Sequence, residues 1–191
     1  MDSLRSRFAL DTLTDDGTFA GYGSVFNNVD SHGDIVVKGA FKTSIENAKT
    51  TGNWPKMLWQ HGMDDKMPVG IWTFLAEDSQ GLYVEGKLAL DNRRARDVYA
   101  LLKMKPRPAL DGLSIGYQPM EFVMNDRASK ARRTLQVVNL IEVSIVISPS
   151  NPLATVRRVK SKSMLTTRTS TDAAADYFMQ TLARLDKTIR H

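Results

Sequence analysis

Three residues with the right side chains for nucleophilic catalysis stand in or beside apolar runs. Ser114 lies in GLSIG at 112–116, His61 near the end of MLWQHG, and Glu142 inside LIEVSIVIS. A serine hydroxyl is a weak nucleophile and needs a base within hydrogen-bond reach. The base in turn needs a third group that fixes its tautomer and favours the imidazolium. The chain holds 3 histidines, His32, His61 and His191. His61, beside a glycine at the end of a strand-like run, is the one placed to face a cleft. Strand alternation puts Ser114 and Gly116 on the face opposite Leu113, Ile115 and Tyr117. Gly116 then leaves room beside the hydroxyl for a substrate backbone. In LIEVSIVIS the same alternation sets Ile141, Val143, Ile145 and Ile147 against Glu142, Ser144 and Val146. A carboxylate in such a run needs a partner, because unpaired burial is costly. His61 is the partner it predicts.

GLSIG also fits G-x-S-x-G, the nucleophile elbow of α/β-hydrolases, which needs a strand, a sharp turn and then a helix. Here YQPMEFV follows, alternating and containing Pro119, so the chain continues as strand. The hydrolase order of serine, acid, histidine also fails, since His191 is the only histidine after Ser114. On spacing alone most strand serines are structural, and so are most strand-end histidines. Glu142 on an edge strand facing water is an equally plain reading. Ser144 is a second-choice nucleophile, and Asp64 and Asp111 are second-choice acids. DSHGD (Asp30, His32, Asp34) has metal-ligand types, but such a glycine-containing loop is more often a turn. No metal and no cofactor is expected. GYGSV is no nucleotide fingerprint, because no helix pattern follows it.

The elements that must position these residues are mostly strands. SRFALDTL, FAGYGSVFN, IVV, PKMLWQHG and the two halves of PVGIWTFLAEDSQGLYVEGKLAL read as strands, and PKMLWQHG should run as strand to Gly62. GLSIGYQPMEFVM and RTLQVVNLIEVSIVIS flank the basic turn NDRASKARR. One helix should carry Phe41, Ile45 and Ala48 and stop at Gly52. A second, NRRARDVYALLKMK, should be capped by Asp91 and stopped by Pro106 and Pro108. Strands that mostly neighbour one another in sequence predict a mainly β fold with helices (α+β): an antiparallel β-barrel or sandwich with the helices outside.

The chain has 191 residues, 42% of them hydrophobic, which suffices for a core. It has no cysteine, so disulfides and thiolate metal sites are excluded. No apolar run has the length of a membrane span, and the N-terminus lacks a signal-peptide apolar region. A soluble cytoplasmic protein with no membrane partner is the expectation. The net charge of +5 is unevenly placed: residues 155–191 hold 8 Lys/Arg against 3 Asp/Glu, leaving 18 of each sign before them. The neutral body and the lack of an aromatic–basic motif argue against nucleic acid as partner. Two parts are expected. Residues 1–156 form the β domain, and 157–191 a basic linker and a helix with Ala175, Phe178, Leu182, Leu185 and Ile189 on one seam.

Several stretches, taken in order, resemble one family. GYGSVFNNVDSHGDIVVKGAF is similar to the N-terminal signature of tailed-phage prohead proteases. MLWQHG followed by PVG resembles their histidine motif, GLSIGY their serine motif, and LIEVSIVISPSNPLA their acidic strand and following loop. The likeness spans about residues 5–156 and implies a fold like the herpesvirus assemblins, with a catalytic triad of His61, Ser114 and Glu142. The assemblins have a second histidine where this chain has Glu142. It implies a serine endopeptidase acting on the scaffolding segment of the major capsid protein, on other prohead proteins and on itself. Its place would be inside the assembling prohead in the host cytoplasm. Ser150 and Asn151 are the candidate oxyanion donors, since Pro149 and Pro152 lack an N–H. Self-association as a dimer or larger oligomer belongs to the same expectation. The alternative is a non-catalytic scaffold or assembly factor of the prohead.

Overall fold

A computed structural model describes residues 16–63 and 67–157. Eight strands and two α-helices follow the sequence pattern closely: β1 (Thr18–Val25), β2 (Asp34–Val36), α1 (Lys42–Thr51), β3 (Lys56–Trp59), β4 (Gly70–Glu77), β5 (Gly81–Leu88), α2 (Arg93–Leu102), β6 (Gly112–Met124), β7 (Arg133–Val146) and β8 (Val156–Arg157). Phe41, Ile45 and Ala48 are buried at helical spacing. Helix α1 ends where Gly52 turns left-handed and its N–H donates to Ala48 O. Helix α2 buries Ala95, Val98 and Leu102. Its cap is Asn92, one residue past the expected Asp91, with a side chain that accepts from Arg94 N and Ala95 N. SRFALDTL and everything after Arg157, including the Phe178–Ile189 seam, lie outside the described residues. Among the described residues no helix is long and apolar enough to cross a membrane.

Strand β7 organises the sheet. One edge pairs antiparallel with β6 from Met124↔Arg133 to Gly112↔Val146. The other edge is shared by two strands: β2 takes Arg133 to Leu135 and β3 takes Glu142 to Ile145, both parallel. The sheet is therefore mixed, where a purely antiparallel one was expected. Helix α1 sets the common direction of these two strands. The chain leaves the sheet after β2, passes through the helix, and returns as β3 to the same edge of β7 in the same direction. The gap on β7 is closed by this detour. Val138 N donates to Ala40 O at 3.0 Å. The Ser44 hydroxyl donates to Val138 O at 2.7 Å and accepts from Leu140 N at 2.9 Å. The buried backbone groups of β7 thus stay paired across the break.

Beyond β3 the order is β4, β5, β1, β8, all antiparallel. Thr155 bridges to Gly112, Leu113 N donates to Ala154 O, and Val156 N donates to Asp111 O. Hydrogen bonding that leaves β7 through β3 thereby returns to β6 through β8, in a strongly curled sheet. One hydrophobic cluster draws on every strand from β1 to β7 and on both helices, including Phe19, Val36, Met57, Trp72, Leu82, Ala95, Leu113 and Val143. The Trp72 indole N–H donates to Val143 O.

A bulge in β7 sets the face that Glu142 takes. Gly116 pairs with Glu142 but Tyr117 pairs with Leu140, so Ile141 is the extra residue. A bulge resets the alternation. Ile141 is consequently 54% exposed instead of sharing a buried face with Val143.

Candidate active site

Ser114 stands near the start of β6, directly opposite Ser144 on β7, and Gly116 stands opposite Glu142. His61 arrives from the neighbouring strand. Strand β3 pairs with β7 as far as Trp59↔Ile145, and then the chain turns sharply. Gln60, His61 and Gly62 are all left-handed, with φ of 49°, 59° and 67°. The expected strand to Gly62 therefore stops at Trp59. Left-handed backbone costs about 1–2 kcal/mol for each non-glycine residue, so the turn persists only because its surroundings hold it. Two bonds do so. Gln60 Oε1 accepts from Ile147 N at 3.1 Å, and His61 Nδ1 lies 2.6 Å from Glu142 Oε1. The turn is what folds the imidazole back over β7.

Glu142 is 6% exposed, and both its oxygens are engaged. Oε1 meets His61, and Oε2 accepts from the Ser144 hydroxyl. A Cβ on Gly116 would stand 2.2 Å from Glu142 Oε1. The space beside Gly116 is thus occupied by this carboxylate and is not room for a substrate backbone. Ser144 is fully buried and its hydroxyl serves Glu142, which removes it as a second-choice nucleophile. Of the second-choice acids, Asp111 is exposed and Asp64 lies outside the described residues. The hydrogen bond that His61 donates to Glu142 raises the pKa of His61 above the ordinary histidine value; partial burial opposes this and the carboxylate charge adds to it. With its Nδ1 proton donated to Glu142, the ring presents Nε2 as an acceptor.

Ser114 is 4% exposed, and its hydroxyl makes no hydrogen bond among the described residues. It lines a cavity of about 90 Å³ together with His61, Ser150 and Asn151. A buried hydroxyl without a partner is rare in a purely structural position. Asn151 is fastened from both ends of its amide: Nδ2 donates to Val25 O at 2.8 Å, and Oδ1 accepts from Leu153 N and Asn28 Nδ2. Ser150 O accepts from Ser31 N, and Ser150 Oγ lies 3.2 Å from His32 Nε2. The backbone N–H groups of Ser150 and Asn151 have no acceptor among the described residues.

DSHGD is a turn. Asp30 Oδ1 accepts from the backbone N–H groups of His32 and Asp34. Asp34 is 1% exposed. It receives Arg133 on both oxygens and the Tyr117 hydroxyl on Oδ2. Arg133 holds the Asp34 carboxyl below its ordinary range against the opposing cost of burial, while burial pushes the Tyr117 hydroxyl up. With both oxygens committed to Arg133 and Tyr117, Asp34 is no free metal ligand. The local spacing gave no hint of this ion pair, whose partners lie 99 residues apart. Ser144 did carry a signal, because it stands at i+2 from Glu142 on one strand face. Gln60 carried none.

Residues 6–170 match the caudovirus prohead serine protease family. The chain belongs to that family. It is 34% identical over 151 residues to the prohead protease of Enterobacteria phage HK97, across 76% of this chain and 61% of that protein. The chain thus spans less than two thirds of that relative's length. No solved structure matches it.

Proposed function

We propose that the protein is a serine endopeptidase of the phage prohead, with Ser114 as nucleophile, His61 as general base and Glu142 as the carboxylate that orients it. The observation that carries this reading is the 2.6 Å His61 Nδ1–Glu142 Oε1 bond, with His61 opening onto the same cavity as the unpaired Ser114 hydroxyl. Nδ1–H stays with Glu142, so Nε2 takes the Ser114 proton as Oγ attacks a peptide carbonyl. The tetrahedral oxyanion is met by the free N–H groups of Ser150 and Asn151. Collapse expels the amine, which receives the proton from His61. Water then repeats the sequence on the acyl-enzyme. Membership of the family and the name of the HK97 relative support the prohead as setting. The substrates in this reading are the scaffolding segment of the major capsid protein, other prohead proteins and the enzyme itself, in an assemblin-like barrel working inside the assembling shell.

The test is fluorophosphonate labelling of the full chain, paired with co-expression of the cognate capsid protein. Wild type should label at Ser114 and cleave the capsid protein, and Ser114→Ala should do neither while remaining folded. A wild type that never labels, or a Ser114→Ala variant that still cleaves, leaves the non-catalytic assembly factor as the better reading.

A further inference from the structure

A glutamate bound to His61 through one oxygen is not fixed by that bond alone. Its terminal torsion is broad and roughly two-fold, so the carboxylate plane can swing about the bonded oxygen. In this chain the second oxygen is also held. Ser144 lies at i+2 from Glu142 on the same face of β7, and its hydroxyl donates to Glu142 Oε2. Ser144 is fully buried and makes no other side-chain hydrogen bond among the described residues. Its position is fixed on both sides: it pairs with Leu58 on β3, three residues before His61, and with Ser114 on β6. The strand that brings the base and the strand that brings the nucleophile therefore both register against Ser144.

We propose that Ser144 is a positioning residue for the reaction, its hydroxyl locking the Glu142 carboxylate in the orientation that holds His61 toward Ser114. This rests on the triad reading above. Ser144 touches no reacting atom and acts through Glu142 and His61. A serine that merely filled space would be replaced by alanine without consequence for His61. The other titratable groups lining the cavity are Asp30, His32, Asp34 and Tyr117. Asp34 and Tyr117 are tied to each other, Asp34 also to Arg133, and Asp30 to its own turn. None of them is bonded to Glu142, so a change at Ser144 reaches His61 through Glu142.

The experiment measures the rate of Ser114 labelling by a fluorophosphonate between pH 5 and 9 in wild type, Ser144→Ala and Ser144→Cys, with thermal melting alongside. Ser144→Ala should label about 10–100-fold more slowly at its plateau, the range seen when a metal-ligating side chain loses the partner that orients it. Its acid limb should move down toward the ordinary histidine value of about 6.5. Ser144→Cys, close in shape and a weak donor, should fall between. A folded Ser144→Ala that labels at the wild-type rate, or slowly with an unmoved limb, overturns the proposal. Should Ser144→Ala not fold, the cysteine variant is read by the same two measures. Wild type that labels beside an unaffected Ser144→Ala sinks only this inference; wild type that does not label sinks the triad and this with it.

Discussion

At the scale of single residues, the His61–Glu142 bond is the part of the proposed mechanism that responds to pH. Glu142 raises the pKa of His61, first by accepting its hydrogen bond and then by its charge. The acid limb of activity should therefore lie above the ordinary histidine value of about 6.5, higher than a histidine at a plain strand end would place it. Replacing Glu142 by Gln removes the charge and lets the ring take the wrong tautomer. The expected result is a limb shifted down toward 6.5 and a rate reduced by about 10⁴. A pH series of Ser114 labelling rates reads both, and a Glu142→Gln limb coinciding with wild type would point to another acid. The same linkage acts on stability. A raised folded pKa contributes stability that is fully present below about pH 6.5 and lost as pH rises through the higher folded value. The three triad candidates were legible because strand alternation and residue type point to them together. The use of Gly116 was not, because only the β6–β7 register brings it against the carboxylate. The left-handed turn at Gln60 and His61 was hidden too: MLWQHG reads as an apolar run, and only Gly62 hints that the strand must break.

At the scale of elements, β7 decides what can be reached. Its bulge at Ile141 puts Glu142 on the face that His61 meets, and its first residues anchor β2. The anchor is more than a short ladder. Asp34 and Arg133 are register partners whose side chains also form a two-pronged ion pair. Arg133→Ala would leave a carboxylate that is 1% exposed without its cation. Arg133 is itself part-exposed and Tyr117 still donates to Asp34, so the expected loss is about 1–3 kcal/mol, the range for a buried group that loses a hydrogen-bond partner. Urea or thermal melts measure it, and a loss below about 1 kcal/mol would show that solvent reaches Asp34. The lowered Asp34 pKa adds a sign: the pair's contribution is present above about pH 3.9 and lost as pH falls through the lower folded value. Wild type should thus hold its melting temperature to a lower pH than Arg133→Lys, whose single ammonium cannot grip both oxygens. Helices and strands were legible here by their periods. The parallel pairing was not, because nothing in a three-residue strand such as DIV states which edge it will join or in which direction.

At the scale of the whole molecule, the question is where the proposed catalytic body ends. The sequence places a change of texture near residue 155, where the neutral body gives way to a basic stretch. The described structure makes residues 154–157 part of the body. Ala154 is fully buried and its carbonyl accepts from Leu113 N, the residue before the proposed nucleophile. Thr155 bridges to Gly112 and its carbonyl accepts from Tyr22 N; Val156 donates to Asp111 O and, with Arg157, pairs with β1. This short segment is the tie that joins β6 to β1 beside Ser114. Two truncations separate the readings. A chain ending at residue 159 keeps every one of these bonds and every proposed catalytic residue, so it should melt within about 4 °C of the full chain. It should also label Ser114 at an undiminished rate, while its incorporation into proheads falls if the basic stretch is a docking element. A chain ending at residue 153 loses the tie. It removes the partners of Leu113 N and Asp111 O, at about 1–3 kcal/mol for each group that stays buried. It should melt far lower and lose labelling. Labelling and melting of the two truncated chains, with prohead incorporation scored separately, decide the matter. If the 159 chain collapses like the 153 chain, residues beyond 159 belong to the proposed catalytic body, and the division of the protein into body and basic extension is wrong.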